Sequence, residues 1–267
     1  MKSIVVLGLG FGDEGKGHVV DWLCQNEYGD MAKHNTVVRR FSGGPQAAHH
    51  VVRDDNIDHV FSHFGSGTLC GFPTYWSKCC PVNPESLLNE LDQLLDKNIL
   101  PVIKLHPDCP VITPFDIDWN RNDKQIHQNG TCNSGIYATF KREKDNYHLS
   151  LSDLFFPSIL KIKLELISEY YCKKVGKGTT ETINWFVEIC ADFMRVRPIN
   201  ISEPEPTNTI WEGSQGLLLD QNHGFFPHCT PSNIGLTNIL ENSYSVDEVF
   251  FVTRAYQTRH GNGPMGE

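Results

Sequence analysis

The chain opens with Ser3-Ile4-Val5-Val6-Leu7-Gly8-Leu9-Gly10-Phe11-Gly12-Asp13-Glu14-Gly15-Lys16-Gly17. Residues 3–9 are apolar, largely β-branched and bounded by glycine, which predicts a buried strand. Residues 18–24 carry Val19, Val20, Trp22 and Leu23, which predicts a helix straight after the glycine loop. Between them, Gly10-Phe11-Gly12-Asp13-Glu14-Gly15-Lys16 fits G-x-x-x-x-G-K. The physical demand of that pattern is convergence of backbone N–H groups on phosphate oxygens, which side chains would obstruct. Lys16 adds a point charge and the helix start adds its dipole. The expected triphosphate contacts here are Gly10, Gly12, Asp13, Glu14, Gly15, Lys16 and Gly17. Gly17 stands where such loops usually place a metal-binding Ser or Thr. Asp13 and Glu14 put carboxylates inside the cradle. A carboxylate there repels phosphate unless a metal neutralises it or it transfers a proton.

Working outward, residues 37–41 predict a second short strand that runs into Ser42-Gly43-Gly44-Pro45, a punctuated turn. Asn83-Pro84-Glu85-Ser86 opens a helix: Asn83 caps it, Pro84 suits its first position, and Leu87, Leu88, Leu91, Leu94 and Leu95 form one stripe. Residues 99–105 predict a strand. Residues 115–150 are polar and turn-rich, and predict a long functional loop or insert. Helical patterns return at 158–174 and 179–196, and late strands at 209–212 and 249–255. This alternation predicts an α/β fold: a largely parallel central sheet flanked by helices, with a P-loop-like phosphate loop after the first strand. No repeat or low-complexity linker divides 1–267, so a single domain is expected.

Composition narrows the partners. The net charge is −9 over 267 residues, which disfavours a nucleic-acid polymer as main partner. A local nest of N–H groups still binds a small phosphorylated ligand. The nine cysteines are odd in number and scattered, with no C-x-x-C pair. Free thiols in a reducing cytoplasm are expected rather than a disulfide framework or zinc ribbon. No apolar run reaches membrane-spanning length, so no membrane association is expected.

Several segments, in order, resemble the adenylosuccinate synthetase family. Gly12-Asp13-Glu14-Gly15-Lys16-Gly17 matches its N-terminal signature without a change. Ser42-Gly43-Gly44-Pro45-Gln46-Ala47-Ala48-His49 resembles its second glycine loop, and Gly130-Thr131-Cys132-Asn133-Ser134-Gly135-Ile136 its GTTGRGIG stretch. Trp211-Glu212-Gly213-Ser214-Gln215-Gly216 resembles EGAQG. The run from His223 to Asn233 and the run from Thr253 to Pro264 resemble two further family segments.

The resemblance implies a carbon–nitrogen ligase. A nucleoside triphosphate, GTP or ATP, phosphorylates O6 of a 6-oxopurine monophosphate, and L-aspartate displaces the phosphate. It implies Asp13, Lys16, Gln215 and His49 as catalytic residues. Asp13 would be the base at N1 and, with the Gly44 carbonyl, a ligand of Mg²⁺. Gly44 joins the triphosphate contacts. Ser42, Thr131, Cys132, Gln215 and Thr230 would hold the nucleotide substrate. For His49, a structural hydrogen bond is as open as a catalytic role. A homodimer is also implied, because family sites borrow an arginine across the interface. That arginine falls near Asn146 here, with Arg142 and Lys144 close by. Cys132, Asn133 and Ser134 replace the family's Thr, Gly and Arg, and Pro45 replaces a His of bacterial members. A viral branch of the family aminates dGMP instead of IMP, and its members replace the equivalent of Asp13 with a small residue. Retention of Asp13 and alteration of the loops therefore point to different nucleotides. The family's aspartate-binding and base-recognising segments are expected beyond Glu267. A nucleotide-binding regulator without chemistry and a different P-loop enzyme are the competing readings.

Overall fold

A computed structural model describes residues 1–28, 34–53, 57–123, 132–176, 178–197, 199–203, 205 and 207–265. The first strand, β1, spans Ser3–Gly8, and the first helix, α1, spans Lys16–Leu23. Ile4, Val5 and Val6 are wholly buried and Leu7 nearly so. Their alternation serves two cores. Ile4 and Val6 pack with Val20, Leu23 and Ile210 on one face, while Val5 and Leu7 pack with Phe41, Trp211 and Ile239 on the other. Burying each such side chain is worth about 1.5–3 kcal/mol. A strand apolar on both faces needs cover on both, which is why it reads as a continuous run rather than an alternation.

Seven strands form one sheet. After β1 come β2 (Thr36–Arg40), β5 (Thr74–Trp76), β6 (Ile103–Leu105), β7 (Ile199–Ile201), β8 (Asn208–Gly216) and β9 (Glu248–Val252). Their spatial order is β7-β6-β5-β2-β8-β1-β9, and every adjacent pair is parallel. The chain leaves β1 on one side of β8 and returns as β2 on the other. The carboxyl ends of β1, β2, β8 and β9 therefore open at one edge around a topological switch point, where open α/β sheets bind ligands. The strands β3 (His49–Val52) and β4 (Asp58–Phe61) form an antiparallel hairpin off the sheet, against α1.

The sequence located most of these elements but misjudged others. The strand expected at 99–105 is confined to Ile103–Leu105; Pro101 precedes it, and Leu100 lies exposed. The strand expected at 209–212 continues to Gly216 through a register shift, with Val6 opposite Glu212 and Gly8 opposite Gly216; a Cβ on Gly213 would lie 3.0 Å from the Val6 carbonyl. Among the described residues, the loop expected at 115–150 carries two helices. The helix α3 (Pro114–Asn122) starts on a reciprocal capping box between Thr113 and Asp116, and α4 (Ile136–Lys144) starts at Gly135. The polar residues that suggested a loop are these caps and a buried ion pair. Arg142 Nε donates to Asp116 Oδ1 at 2.9 Å, both side chains are fully buried, and Tyr171 Oη donates to the same carboxylate at 2.8 Å.

The helix α2 (Pro84–Asp96) is capped as expected, with Asn83 Oδ1 accepting the Ser86 N–H at 3.1 Å. It buries Leu87, Leu91 and Leu94 and leaves Leu95 partly exposed. The helices α5 (Pro157–Val175) and α6 (Thr180–Arg195) complete the large core around Trp76, Leu105 and Phe193. A short helix, α7 (Thr237–Leu240), carries Ile239 onto the opposite face. All nine cysteines are unpaired. No helix among the described residues is long and apolar enough to cross a membrane.

Candidate active site

The loop after β1 treats its two carboxylates in opposite ways. Glu14 folds back into the glycine turn and is buried. Its Oε1 accepts N–H bonds from Gly10 at 3.1 Å and Gly12 at 2.7 Å, and its Oε2 accepts Lys16 Nζ at 2.8 Å. Burial alone would raise the Glu14 pKa, but the Lys16 ammonium and the N–H bonds outweigh it and hold the group ionised. The Gly10 and Gly12 N–H groups thus face an internal anion. The N–H groups free for a ligand are those where α1 begins. Gly15 caps that helix at φ 98° without a side-chain partner, so the first-turn amides remain unsatisfied. Gly17 has a steric reason to lack a side chain: a Cβ there would lie 2.9 Å from both His49 Cβ and Ser66 Oγ.

Asp13 turns the other way. It holds a left-handed backbone, φ 61°, rare outside glycine. Arg254 Nε donates to its carbonyl, and its carboxylate points outward, 3.5 Å from His260 Nδ1. His260 Nε2 lies 3.2 Å from Cys132 Sγ. Those two partners, Cys132 first and Asp13 second, push the His260 pKa up to about 9.

A second buried network stands beside the loop. Glu212, on β8, is completely buried, and its Oε1 lies 2.6 Å from His49 Nδ1. Ser66 Oγ donates to the same oxygen at 2.5 Å, and the Ser66 N–H donates to Oε2 at 3.0 Å. Burial pushes Glu212 up, but His49, Arg40 and Ser66 together bring it down to about 2. Burial pushes the His49 pKa down, against the pull of Glu212. Sequence reasoning quoted Glu212 within a motif but gave it no role. A carboxylate in the middle of an otherwise buried strand was the available signal, because such a charge needs partners.

These groups face a cavity of about 790 Å³, lined by Asp13, Lys16, His49, Cys132, Gln215 and Thr230 together with Gly12, Glu14, Gly15 and Gly17. Gln215 is the telling member: it is buried, yet neither its Nε2 nor its Oε1 has a partner. Gln46 Oε1 and His228 Nδ1, on the same wall, are also unpartnered. Leaving a buried polar group unsatisfied costs about 1–3 kcal/mol, so an amide bare at both ends on a cavity wall is a candidate ligand contact.

Other expected residues lie behind this wall. Ser42 is fully buried; its hydroxyl accepts the Ser214 N–H at 3.3 Å and its carbonyl the Ser214 hydroxyl at 2.6 Å. It scaffolds β8 and does not touch the cavity, a correction to its expected substrate contact. Gly10 and Gly44 are also absent from the lining; a Cβ on Gly44 would lie 2.8 Å from Ile136 Cδ1. Thr131 lies outside the described residues. Arg142, one of the two cations near the expected cross-subunit arginine, is sealed against Asp116 inside its own chain.

A parallel α/β sheet with a phosphate loop at its switch point defines a nucleotide-site protein of the P-loop-like kind. Within that class, the adenylosuccinate synthetase family profile matches residues 5–266, and the chain belongs to that family. It is 30% identical to adenylosuccinate synthetase of Neisseria gonorrhoeae and 32% identical to that of a Psychrobacter species. Each match covers 99% of this chain and 64% of the relative, so the chain spans under two-thirds of the length of these relatives. Among solved structures, fully ligated adenylosuccinate synthetase from Plasmodium falciparum aligns with a TM-score of 0.77 at 18% identity, over 98% of this chain and 63% of that one. Succinoaminodeoxyadenylate synthetase of cyanophage S-2L, bound to dGMP and to dATP as energy donor, aligns with a TM-score of 0.60 at 16% identity. That alignment covers 90% of this chain and 59% of the other. Both share the fold.

Proposed function

We propose that this chain forms the nucleotide site of a ligase that joins L-aspartate to C6 of a 6-oxopurine nucleoside monophosphate, driven by GTP or ATP. The observation that carries this reading is the bare amide of Gln215 beside Asp13 and Lys16. A 6-oxopurine presents an acceptor, O6, next to a donor, N1–H. The Gln215 amide N–H can donate to O6 and leave N1–H to Asp13.

The chain's own residues then divide the work. Asp13 takes the N1 proton as O6 forms its bond to the γ-phosphorus and the bond to the leaving diphosphate breaks. Lys16 and the amides at the start of α1 hold the phosphoryl oxygens, where positioning and electrostatics carry most of the catalysis. The aspartate amine next attacks C6 and phosphate leaves. Cys132 and Thr230 line the same cavity, which supports their role as contacts of the substrate's 5′-phosphate. His49 lines the same cavity.

The residues fit Mg²⁺ only in part. Among the described residues no group of three or more His, Cys, Asp or Glu could enclose a metal. The exposed Asp13 carboxylate on the cavity wall suits an ion that takes most of its ligands from phosphates and water. Gly44 offers a carbonyl from behind the wall. When bound, Mg²⁺ would neutralise phosphate charge. A homodimer, with the partner's chain near Asn146, belongs to the same reading, as does a cytoplasmic location.

The test is a panel of IMP, dIMP, GMP and dGMP with aspartate and either ATP or GTP, scored by product mass. dGMP is included because the cyanophage neighbour binds it. One nucleotide gaining the mass of an aspartate less water is expected. No such product from any combination would refute the ligase reading, and nucleotide binding without turnover would favour a regulator.

A further inference from the structure

We infer that Glu212 is the positioning residue of His49: its carboxylate accepts the hydrogen bond of the Nδ1–H and so sets the ring with Nε2 as the nitrogen open to receive a proton. The role rests on the ligase reading only for its consequence in turnover; the placement stands on geometry.

Three observations converge. First, the 2.6 Å contact between His49 Nδ1 and Glu212 Oε1 fixes which nitrogen carries the resting proton, because an ionised carboxylate only accepts. Second, Glu212 has no exposure and is not among the lining residues, while His49 and Ser214 both line the cavity, so the ring stands between the carboxylate and the cavity wall with Nδ1 turned to Glu212. Third, Nε2 lies 3.3 Å from the Ser214 carbonyl, another acceptor. In the neutral ring these two acceptors face each other without a proton. Once a proton arrives at Nε2, both ring N–H groups have acceptors waiting. Burial, Lys16 and Arg40 disfavour that cation at rest, whereas anionic phosphoryl oxygens entering the cavity favour it. Glu212 and Ser214 are thus already in place to accept from the protonated ring.

The carboxylate itself cannot drift. The Ser66 N–H and hydroxyl hold both of its oxygens, and Ser66 follows a turn whose amides at 62–64 donate to Glu90 of α2 at 2.9, 2.6 and 3.3 Å. The aim of His49 is thus referred to the scaffold helix and not to a loop.

The experiment uses the protein labelled with ¹⁵N-histidine, with His49→Gln assigning its ring. The wild-type ring is expected to show a protonated Nδ1 and an unprotonated Nε2. In Glu212→Gln the fixed tautomer is expected to be lost. Turnover is expected to fall about 100-fold, with nucleotide KM within about threefold, since the residue acts through His49. If Glu212→Gln does not fold, Ser66→Ala decides. Ser66 and His49 share Glu212 Oε1, so removing the hydroxyl should move the Nδ1 proton downfield. An Nε2-protonated wild-type ring overturns the inference, as does an unchanged ring spectrum in the variant that folds. Absence of turnover in the wild type would instead count against the ligase reading, and the spectra would still judge Glu212.

Discussion

Two buried ion pairs in this chain look alike and do different work. Arg142 and Asp116 lie in the helical layer, and Lys16 and Glu14 lie in the phosphate loop; all four side chains are nearly or wholly excluded from solvent. Around Arg142 the pairing is closed. Its guanidinium also donates to Glu143, to the Tyr147 carbonyl and to the Val111 carbonyl, and Asp116 caps its own helix through Thr113. Around Lys16 the pairing is open on one side. Glu14 satisfies the glycine amides, but a cavity with unpartnered amides lies next to it. A closed network fixes shape, whereas an open one keeps charge in reserve for a ligand, and burial alone does not distinguish the two.

The comparison can be broken most forcefully through the residue outside both pairs. Asp13→Asn removes the base at N1. A loss of turnover on the order of 100- to 10,000-fold is expected in the mass-detected assay, with the melting temperature little changed. Equal turnover by this variant would sink the assignment. Arg142→Ala should do the reverse. Removing one partner of a closed buried pair costs about 3–5 kcal/mol, read as lowered resistance to urea. A loss under 1 kcal/mol would show that the helical network is not closed.

Acid should separate the scaffold from the site next. Glu90 and Glu212 are both held down to about 2, from an ordinary value of 4.5. For Glu90, as for Glu212, burial pushes upward, and the His59 and His63 rings with the turn amides outweigh it. A depressed carboxylate contributes stability that is complete above the unfolded value and lost as pH falls through the folded one. Their contribution, a few kcal/mol by linkage, should therefore be flat above about pH 5 and vanish between about 4.5 and 2. Glu90→Gln should flatten part of that slope in a pH series of urea unfolding; an unchanged slope would refute the assignment to Glu90. The smallest effect is expected at Glu14. Glu14→Gln releases Lys16 from its internal anion, so inorganic triphosphate should bind several-fold more tightly, about 1 kcal/mol. Weaker binding, measured by calorimetry, would mean that Glu14 shapes the cradle and does not compete for it.

The core of the fold was legible in short patterns. The run at 3–9, the glycine loop and the capped leucine stripe after Asn83 each carry their own physics within a dozen residues. The stretch at 115–150 was not legible, because its polar residues meet partners far along the chain: Asp116 with Arg142 and Tyr171. The three-residue strands at Thr74–Trp76 and Ile199–Ile201 are too short to show a period, and they exist because a neighbouring edge is there to pair with. At the site, residue types were legible and directions were not. Adjacent acids at 13 and 14 look equivalent in sequence.

By itself, then, the sequence determined a phosphate loop on a parallel sheet, and its motifs determined the family. Tertiary structure decided that Glu14 turns inward to Lys16 while Asp13 turns out to the cavity. It also decided that Ser42 and Gly44 back the wall, and that Glu212 aims His49. The reason is that charge and hydrogen-bonding capacity belong to a residue, but their satisfaction depends on which distant atoms the fold brings within about 3 Å.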